Sequence, residues 1–428
     1  MTFAARHDKP TLRARTLAPR GRSGRHRALA SWSGVETATI LVFAVISTPV
    51  VAIFVGPEQL GKAAIALGLI GIVEIICCTG WHDALVRAPS LHTRLIDSAN
   101  TVICLAATVA MLLLAAASAP LAAVFHDDGL RPLLIAAALA LPLSAATTVP
   151  SAILARKLRA KSISLRWVVH RAAALIVTLG LAMAGAGAMS IVLGALAANL
   201  ASVMVLFSLL RRTPRFIWRW AILRNELRPV LRYVGGISAE TLLSTGMIKT
   251  FNILVGWLYG AVGAGLFQLS QRIVDETATV FQTLIARYAL AHFAELSRNG
   301  RDPTATLLVG TTLTAYIALP VFAALAVCAD DVVHLVFGEA WKGAAGMLRF
   351  CAIGWMLAFP VQLAMPFVRA AGRQARLTLY AAASALIAVA ALFALQPLGL
   401  SSVGAAWAAR HLPAIPFAMV TTSLLLGV

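Results

Sequence analysis

Charge is what this chain has least of. Only 12% of its 428 residues are Asp, Glu, Lys or Arg, and only 17 of them are acids. Soluble domains carry about one-quarter charged residues, so this composition excludes a soluble globular protein. No long hydrophilic block interrupts the apolar runs, which leaves no room for a separate soluble domain. The five cysteines, Cys77, Cys78, Cys104, Cys328 and Cys351, sit in or beside apolar runs. Their spacing fits neither a metal site nor a disulfide framework, and they read as small apolar packing residues. There is no P-loop, no nucleophile elbow and no metal-ligand pair at helical spacing. These absences argue against water-soluble catalysis and against ATP-driven transport by this chain alone. The expectation is a non-enzyme with no metal and no cofactor.

What is there is hydrophobic. The apolar share is 60% and the mean hydropathy +0.85. Twelve apolar segments follow one another at about 34–55, 63–82, 98–125, 131–154, 168–186, 188–210, 230–255, 262–286, 304–328, 344–368, 377–396 and 402–427. Each has roughly the 17–25 residues that span about 30 Å of hydrocarbon as a helix. The runs are continuous and too long for the alternating strands of a membrane barrel. The fold class is therefore an all-α polytopic membrane protein of about twelve transmembrane helices.

The net charge of +19 reports topology and not nucleic-acid binding. Counted with the N-terminal arm, alternate connections hold 27 Lys and Arg against 3 on the other side, where Asp127, Asp128, Asp330 and Asp331 gather. Cytoplasmic loops carry the excess of Lys and Arg, so both termini are expected in the cytoplasm. Residues 1–30 hold eight Lys or Arg, one acid and no apolar core. That reads as a disordered basic arm near anionic lipid, with an organellar transit peptide as the alternative.

The chain repeats itself at about 200 residues. Glu36-Thr37 answers Glu240-Thr241, Val55-Gly56 answers Val255-Gly256, Gly61 answers Gly263, and Glu74 answers Glu276. AVFHDD at 123–128 matches AVCADD at 326–331. Six helices in each half make the repeat parallel, with two pseudo-symmetric six-helix lobes. The expected organisation is a basic arm at 1–30, a first lobe at 31–210, a basic cytoplasmic linker at 211–229 and a second lobe at 230–428.

Charges at membrane depth mark the candidate sites, because such groups are costly in hydrocarbon. In GAGLFQLSQRIVDETATVFQ at 263–282, Arg272, Asp275 and Glu276 stand at i, i+3 and i+4, with Gln268, Gln271, Thr279 and Gln282 on the same side. Ser238, Thr241, Thr245, Lys249 and Asn252 form a second helical stripe, with Glu240 beside it. At 1.5 Å per residue, Lys249 and Arg272 lie about 9 and about 15 Å from the outer ends of their helices. Antiparallel packing then places both cations in one cavity, where two unneutralised cations suit a multiply charged phosphate. The competing reading pairs Lys249 with Asp275 or Glu276. Glu74, amid LGLIGIVEIICC, is either a proton carrier or the acceptor of a hydrogen bond from a neighbouring helix. Arg410 interrupts the last segment and is a third cavity cation; Arg171 reads as snorkelling to the cytoplasmic face. Pro142, Pro150, Pro320, Pro360, Pro366 and Pro413 fall inside apolar segments as candidate kinks.

VGPEQLGKAAIALGLIGIVE at 55–74, TGWHDALVR at 79–87, VGWLYGAVGAGLFQLSQRIVDE at 255–276 and FGEAWKGA at 337–344 resemble the polysaccharide flippases of the MATE-like multidrug/oligosaccharidyl-lipid/polysaccharide exporter superfamily. The resemblance runs over nearly the whole chain after residue 30. It implies two lobes in a V, alternately open to either side of a bacterial inner membrane. It also implies export of an oligosaccharide on polyprenyl pyrophosphate for exopolysaccharide, O-antigen or capsule assembly. Cavity cations would hold the pyrophosphate, and the matching residues are Lys249, Arg272 and Arg410. Glu74, Glu240, Asp275 and Glu276 are the candidates for exchange of a proton or sodium ion. Gln268, Gln271, Thr241, Thr245 and Asn252 would line the path. The partners implied are the lipid-linked oligosaccharide, membrane lipid and polysaccharide polymerase machinery, with no nucleic acid. The first half is poorer in mid-membrane cations than the family pattern, and the motif around Asp275 is richer in acids.

Two alternatives belong to other classes. A cation-coupled multidrug antiporter of the same architecture calls for an acidic, aromatic-lined cavity. A membrane-embedded transferase calls for a catalytic His near a cytoplasmic loop, and His170 and His292 are the candidates.

The charge asymmetry is directly testable in a bacterial host. Alkaline phosphatase fused after Asp128 or Asp331 should be active, and fused after Arg215 or Arg298 inactive. The opposite pattern would overturn the orientation.

Overall fold

The computed structural model describes the backbone of residues 22–298 and 304–417, apart from 89, 158, 211, 219, 363–367, 369–373 and 415. Side chains are described from Thr48 onward, apart from those gaps and 160, 220–225, 229, 283–311, 313–314, 360–367 and 369–375. The N-terminal arm up to residue 21, the side chains of Glu36, Thr37 and His292, and Pro366 lie outside the described residues.

All described regular structure is helical. In lipid every backbone N–H and C=O needs a partner inside its own segment, and helices provide that. The first helix, α1 (Arg22–Glu74), is broken once, at Gly56 (φ 74°). Its mate in the second half, α10 (Met247–Arg298), is broken once, at Gly260 (φ 72°). Only glycine adopts this region without steric cost. Between them run α2 (Gly80–Arg87), α3 (Thr93–Ala116), α4 (Ser118–Val124), α5 (Leu130–Ala138), α6 (Ala140–Arg156), α7 (Ala160–Met183), α8 (Ala188–Leu209) and α9 (Trp220–Thr241). After α10 come α11 (Thr304–Val327), α12 (Ala329–Phe337), α13 (Ala344–Gln362), α14 (Gln374–Ala394) and α15 (Ser402–Ala409).

Among the described residues, seven helices are long and apolar enough to cross a membrane, or eight when the pair α11–α12, bent by 69°, counts as one span. Two of the seven candidate spans, Thr48–Arg87 and Val230–Gln282, contain 40 and 53 residues. At 1.5 Å per residue these are about 60 and about 80 Å long, at least twice the hydrocarbon thickness. Each contains one of the glycine breaks. The expected separate segments at 34–55 and 63–82, and at 230–255 and 262–286, are therefore joined through kinks and not through loops. The break at Gly56 is followed directly by Pro57, and of the candidate prolines Pro413 falls in the turn that ends the last helix. Pro150 and Pro320 lie inside α6 and α11, where no non-helical residue is recorded. The last apolar segment is broken too: α15 ends in a turn over residues 410–413.

The internal repeat is real at the breaks, but its register differs from the sequence match. Gly56 and Gly260 lie 204 residues apart. The same offset relates Gly61 to Gly265, where α1 and α10 cross with backbone against backbone. A Cβ on Gly61 would overlap the Ala261 carbonyl oxygen, and one on Gly265 would overlap that of Pro57. Pro57 and Ala261 are themselves 204 apart, so the two contacts are related by the repeat. Gly256 and Gly263 are not the mates of Gly56 and Gly61, and Glu74 falls opposite Ala278 and not Glu276.

Two large apolar cores are described. One is built from residues between Ala63 and Val234, the other from residues between Phe251 and Trp407 together with Ala52. The first takes in Leu227 and Val234 of α9. The basic linker is partly helical, because α9 begins at Trp220. The rest is tied to α3: Arg212 pairs with Asp97 at 2.9 Å, the Arg215 N–H donates to Asp97 at 3.0 Å, and the Ile217 N–H donates to Thr101 at 2.9 Å.

α2 and α9 form a second close crossing. A Cβ on Gly80 would overlap the Val234 carbonyl oxygen, and Arg87 donates to the Tyr233 hydroxyl. Beside it two π-helical turns touch, Ile75–Thr79 after α1 and Leu242–Gly246 between α9 and α10. Such turns mark helices adapted for function.

Gly61→Ala should destabilise the purified protein by about 1–3 kcal/mol, the usual cost of overpacking, because the overlapped atom is backbone. Gly180→Ala, with nothing within 4 Å of the new Cβ, should leave the thermal midpoint in detergent unchanged. Equal midpoints for both variants would mean that the crossing is not tight.

Candidate functional site

The charged stripe of α10 divides in the structure. Arg272 forms an ion pair with Glu276, Nε to Oε1, at 2.9 Å. The Glu276 oxygen also accepts a hydrogen bond from the Thr48 hydroxyl at 3.1 Å, which ties α1 to α10 across the two halves. Arg272 is therefore not an unneutralised cation. Asp275 turns the other way: it accepts from Trp355 Nε1 at 3.2 Å on α13 and from Gln271 Nε2 at 3.3 Å. The i+3 and i+4 positions flank a helix face and do not coincide on it, so neighbouring acids reach different helices.

The second stripe also divides, at the π turn. A π turn inserts an extra residue and rotates everything beyond it by about 100°. Glu240, Thr241 and Thr245 line cavities. Lys249, past the turn, lies along Gly71 of α1, where an added Cβ would meet Nζ. Among the described residues Lys249 forms no ion pair with Asp275 or Glu276. Asn252 donates to Gln268, and its own Oδ1 is buried without a partner. Thr241 bonds to the Ile237 carbonyl at 2.9 Å.

Glu74 is not bare. Ser144 of α6 donates to its Oε1, which is the neighbouring-helix reading. His170 is likewise structural in its contacts, with Nδ1 3.1 Å from the Ala198 carbonyl and 3.0 Å from the Ser202 hydroxyl on α8. Arg171 is half-buried. Its Nε is buried without a hydrogen-bond partner, and it lies within electrostatic reach of Arg272 and Glu276. A cation of the first half thus lies near the charged stripe of α10.

Arg410 stands apart from Lys249 and Arg272. Its guanidinium carbon is 3.6 Å from the ring centre of Trp407, and its Nε donates to His411 Nε2 at 3.0 Å. A cavity of about 600 Å³ is lined by Glu240, Thr245, Asp275, Trp355, Arg410 and His411, among others. A groove of about 1080 Å³, lined by Asp83, Arg87, Arg232 and Tyr233, shares Glu240, Leu243, Ser244, Thr245 and Thr378 with it. The expected single cationic cavity is therefore two places. One is the Arg171–Arg272–Glu276 cluster between the halves. The other is the Arg410 cavity within the C-terminal helices. Neither Lys249 nor Arg272 lines the cavity or the groove. Trp355 and Trp407 were missed by the sequence reading, since nothing in an apolar run distinguishes a packing Trp from a lining one. No group of three or more His, Cys, Asp or Glu that would hold a metal occurs among the described residues.

This arrangement can be set beside known proteins. Residues 50–346 match the family model described as "Polysaccharide biosynthesis protein". The succinoglycan biosynthesis transport protein ExoT of Rhizobium meliloti (strain 1021) is 20% identical over 347 residues, covering 80% of this chain and 69% of that protein. Among solved structures, the lipid II flippase MurJ in an inward closed conformation superposes with a TM-score of 0.76 at 11% identity, covering 92% of this chain and 87% of that one. An inward-facing multidrug resistance MATE transporter of the MOP superfamily gives 0.64 at 14% identity, over 91% and 96%. The chain is a multi-pass membrane protein that belongs to the polysaccharide biosynthesis protein family, within the MATE-like superfamily of multidrug and polysaccharide transporters.

Proposed function

We propose that this protein is a non-enzymatic flippase of the bacterial inner membrane. It moves polyprenyl-pyrophosphate-linked oligosaccharide repeat units from the cytoplasmic to the periplasmic leaflet, for exopolysaccharide, O-antigen or capsule assembly. The observation that carries the reading is the ion pair of Arg272 with Glu276 between the halves, with Arg171 within electrostatic reach of both. Arg171 adds a second positive charge to this cluster. A pyrophosphate offers more acceptor oxygens than Glu276 and competes with it for the guanidinium fork. Glu276 would then be free to take up a proton or bind sodium. Because Glu276 also holds Thr48 of α1, the exchange loosens a link between the two six-helix lobes. A ligand drives such a cycle only by binding its two states unequally, and breaking this link supplies the difference. The family match and the similarity to ExoT support the polysaccharide assignment.

A second reading is a cation-coupled multidrug antiporter of the same architecture. It draws support from the similarity to the multidrug transporter and from the carboxylates Asp275 and Glu240 beside Trp355 and Tyr380 in the C-terminal cavity. Since flippase and antiporter share the fold, cavity chemistry and substrate assays separate them.

In a flippase-deleted, polysaccharide-producing bacterium, wild type should restore polymer. Arg272→Ala and Arg171→Ala should lower it about tenfold or more at equal membrane level, and Thr48→Val less, since one neutral hydrogen bond is worth about 1 kcal/mol. Wild-type export of cationic dyes without any polymer would favour the antiporter instead.

A further inference from the structure

Arg410 poses a question that the pyrophosphate site does not answer. It lies at the break of the last apolar segment, deep among the C-terminal helices, yet the cavity leaves part of its surface open. Its Nε is committed to His411 and its face to Trp407. Among the described residues no carboxylate oxygen comes within 4.0 Å of it. Asp275 is its main charged neighbour, but that carboxylate is already engaged by Trp355 and Gln271. The terminal guanidinium nitrogens therefore face open space. A desolvated cation without a counter-ion in contact is unfavourable.

A second polar group shares the condition. Because His411 Nε2 accepts from Arg410, the proton of a neutral ring resides on Nδ1. That Nδ1 is buried without a partner, in a residue only 7% exposed. The Ser384 hydroxyl lines the same cavity beside its partner Tyr380. The Arg410 fork thus opens on a cavity whose carboxylates, Asp275 and Glu240, form no ion pair with it.

We infer that the cavity receives an acidic sugar of the repeat unit, with the sugar carboxylate bound by Arg410, which His411 holds in place through Nε2. Arg matches a carboxylate with two parallel hydrogen bonds. Asp275 and Glu240, on the remaining wall, accept from sugar hydroxyls. About 600 Å³ falls within the range of roughly 300–1,000 Å³ typical of small-molecule sites. The residues shared with the larger groove provide the way in. This inference rests on the flippase reading and assigns the glycan and the pyrophosphate to separate subsites.

The test uses two flippase-deleted strains, one making a repeat unit with glucuronic acid and one making its neutral glucose counterpart. Wild type, Arg410→Gln, Arg410→Lys, His411→Asn and Arg272→Ala are compared at equal membrane level. Arg410→Gln should cut acidic polymer about tenfold and change neutral polymer less than twofold. Arg410→Lys, which keeps the charge without the fork, should fall between. Arg272→Ala should cut both. In saturation-transfer NMR on the full-length protein in detergent, methyl glucuronide should give a signal that Arg410→Gln abolishes, and methyl glucoside should give a weaker one. Equal loss of both polymers in Arg410→Gln, or no loss of either, overturns the acidic-sugar subsite and leaves the flippase reading standing. The flippase reading fails separately, if wild type restores neither polymer.

Discussion

The structure hangs on one crossing, where α1 and α10 pass with their backbones in contact at Gly61 and Gly265. No side chain beyond hydrogen fits between the helices there, since an added Cβ on either glycine overlaps a carbonyl oxygen of the other helix. The contact is used twice, once from each half, at the same offset of 204 residues that separates the breaks at Gly56 and Gly260. Each break lets a long helix turn next to the crossing without ending. The crossing therefore sets the relative register of the two halves, and the positions of Thr48 and Glu276 follow from it. Backbone packed on backbone is stiff, and a stiff junction at one place confines relative motion of the halves to the rest of their interface.

The second constraint is the cost of charge in a medium with little water. Most ionisable groups at depth have a partner within hydrogen-bond range: Arg272 with Glu276, Glu74 with Ser144, Asp275 with Trp355 and Gln271. These bonds do structural work, since each except the first joins different helices or lines a cavity wall. Two cations stand out: Arg171 Nε is buried without a hydrogen-bond partner, and Arg410 lines the C-terminal cavity.

Helical breaks deserve the same physical reading as charges. The π turn at Leu242–Gly246 separates Thr245 from Lys249 on a stripe that an ideal helix would keep on one face. It also lines the passage between groove and cavity through Leu243, Ser244 and Thr245. Its contact with the π turn at Ile75–Thr79 brings two adapted helices together beside the close crossing at Gly80.

Much of this protein was legible in the order of its residues. Long apolar runs and the scarcity of acids determined an all-helical membrane chain, because only helices satisfy the backbone in lipid. The recurrence of Gly, Glu and Asp-Asp motifs raised the expectation of an internal repeat, though in a register that the folded chain does not keep at Gly256, Gly263 and Glu276, and the charges within apolar segments singled out Arg272, Glu276, Asp275 and Arg410 as candidates. Partnership was beyond its reach. That Arg272 is held by Glu276, that Asp275 turns to Trp355, that Lys249 lies on Gly71, and that Arg171 lies within electrostatic reach of Arg272 all depend on helix rotation. Rotation is decided by packing and by a single π turn, which moves a side chain by about 100°. Loose apolar matches permit registers two to four residues apart, so Gly256 and Gly263 looked as good as Gly260 and Gly265. Only steric contact between backbones chose between them, and that contact exists nowhere but in the folded chain.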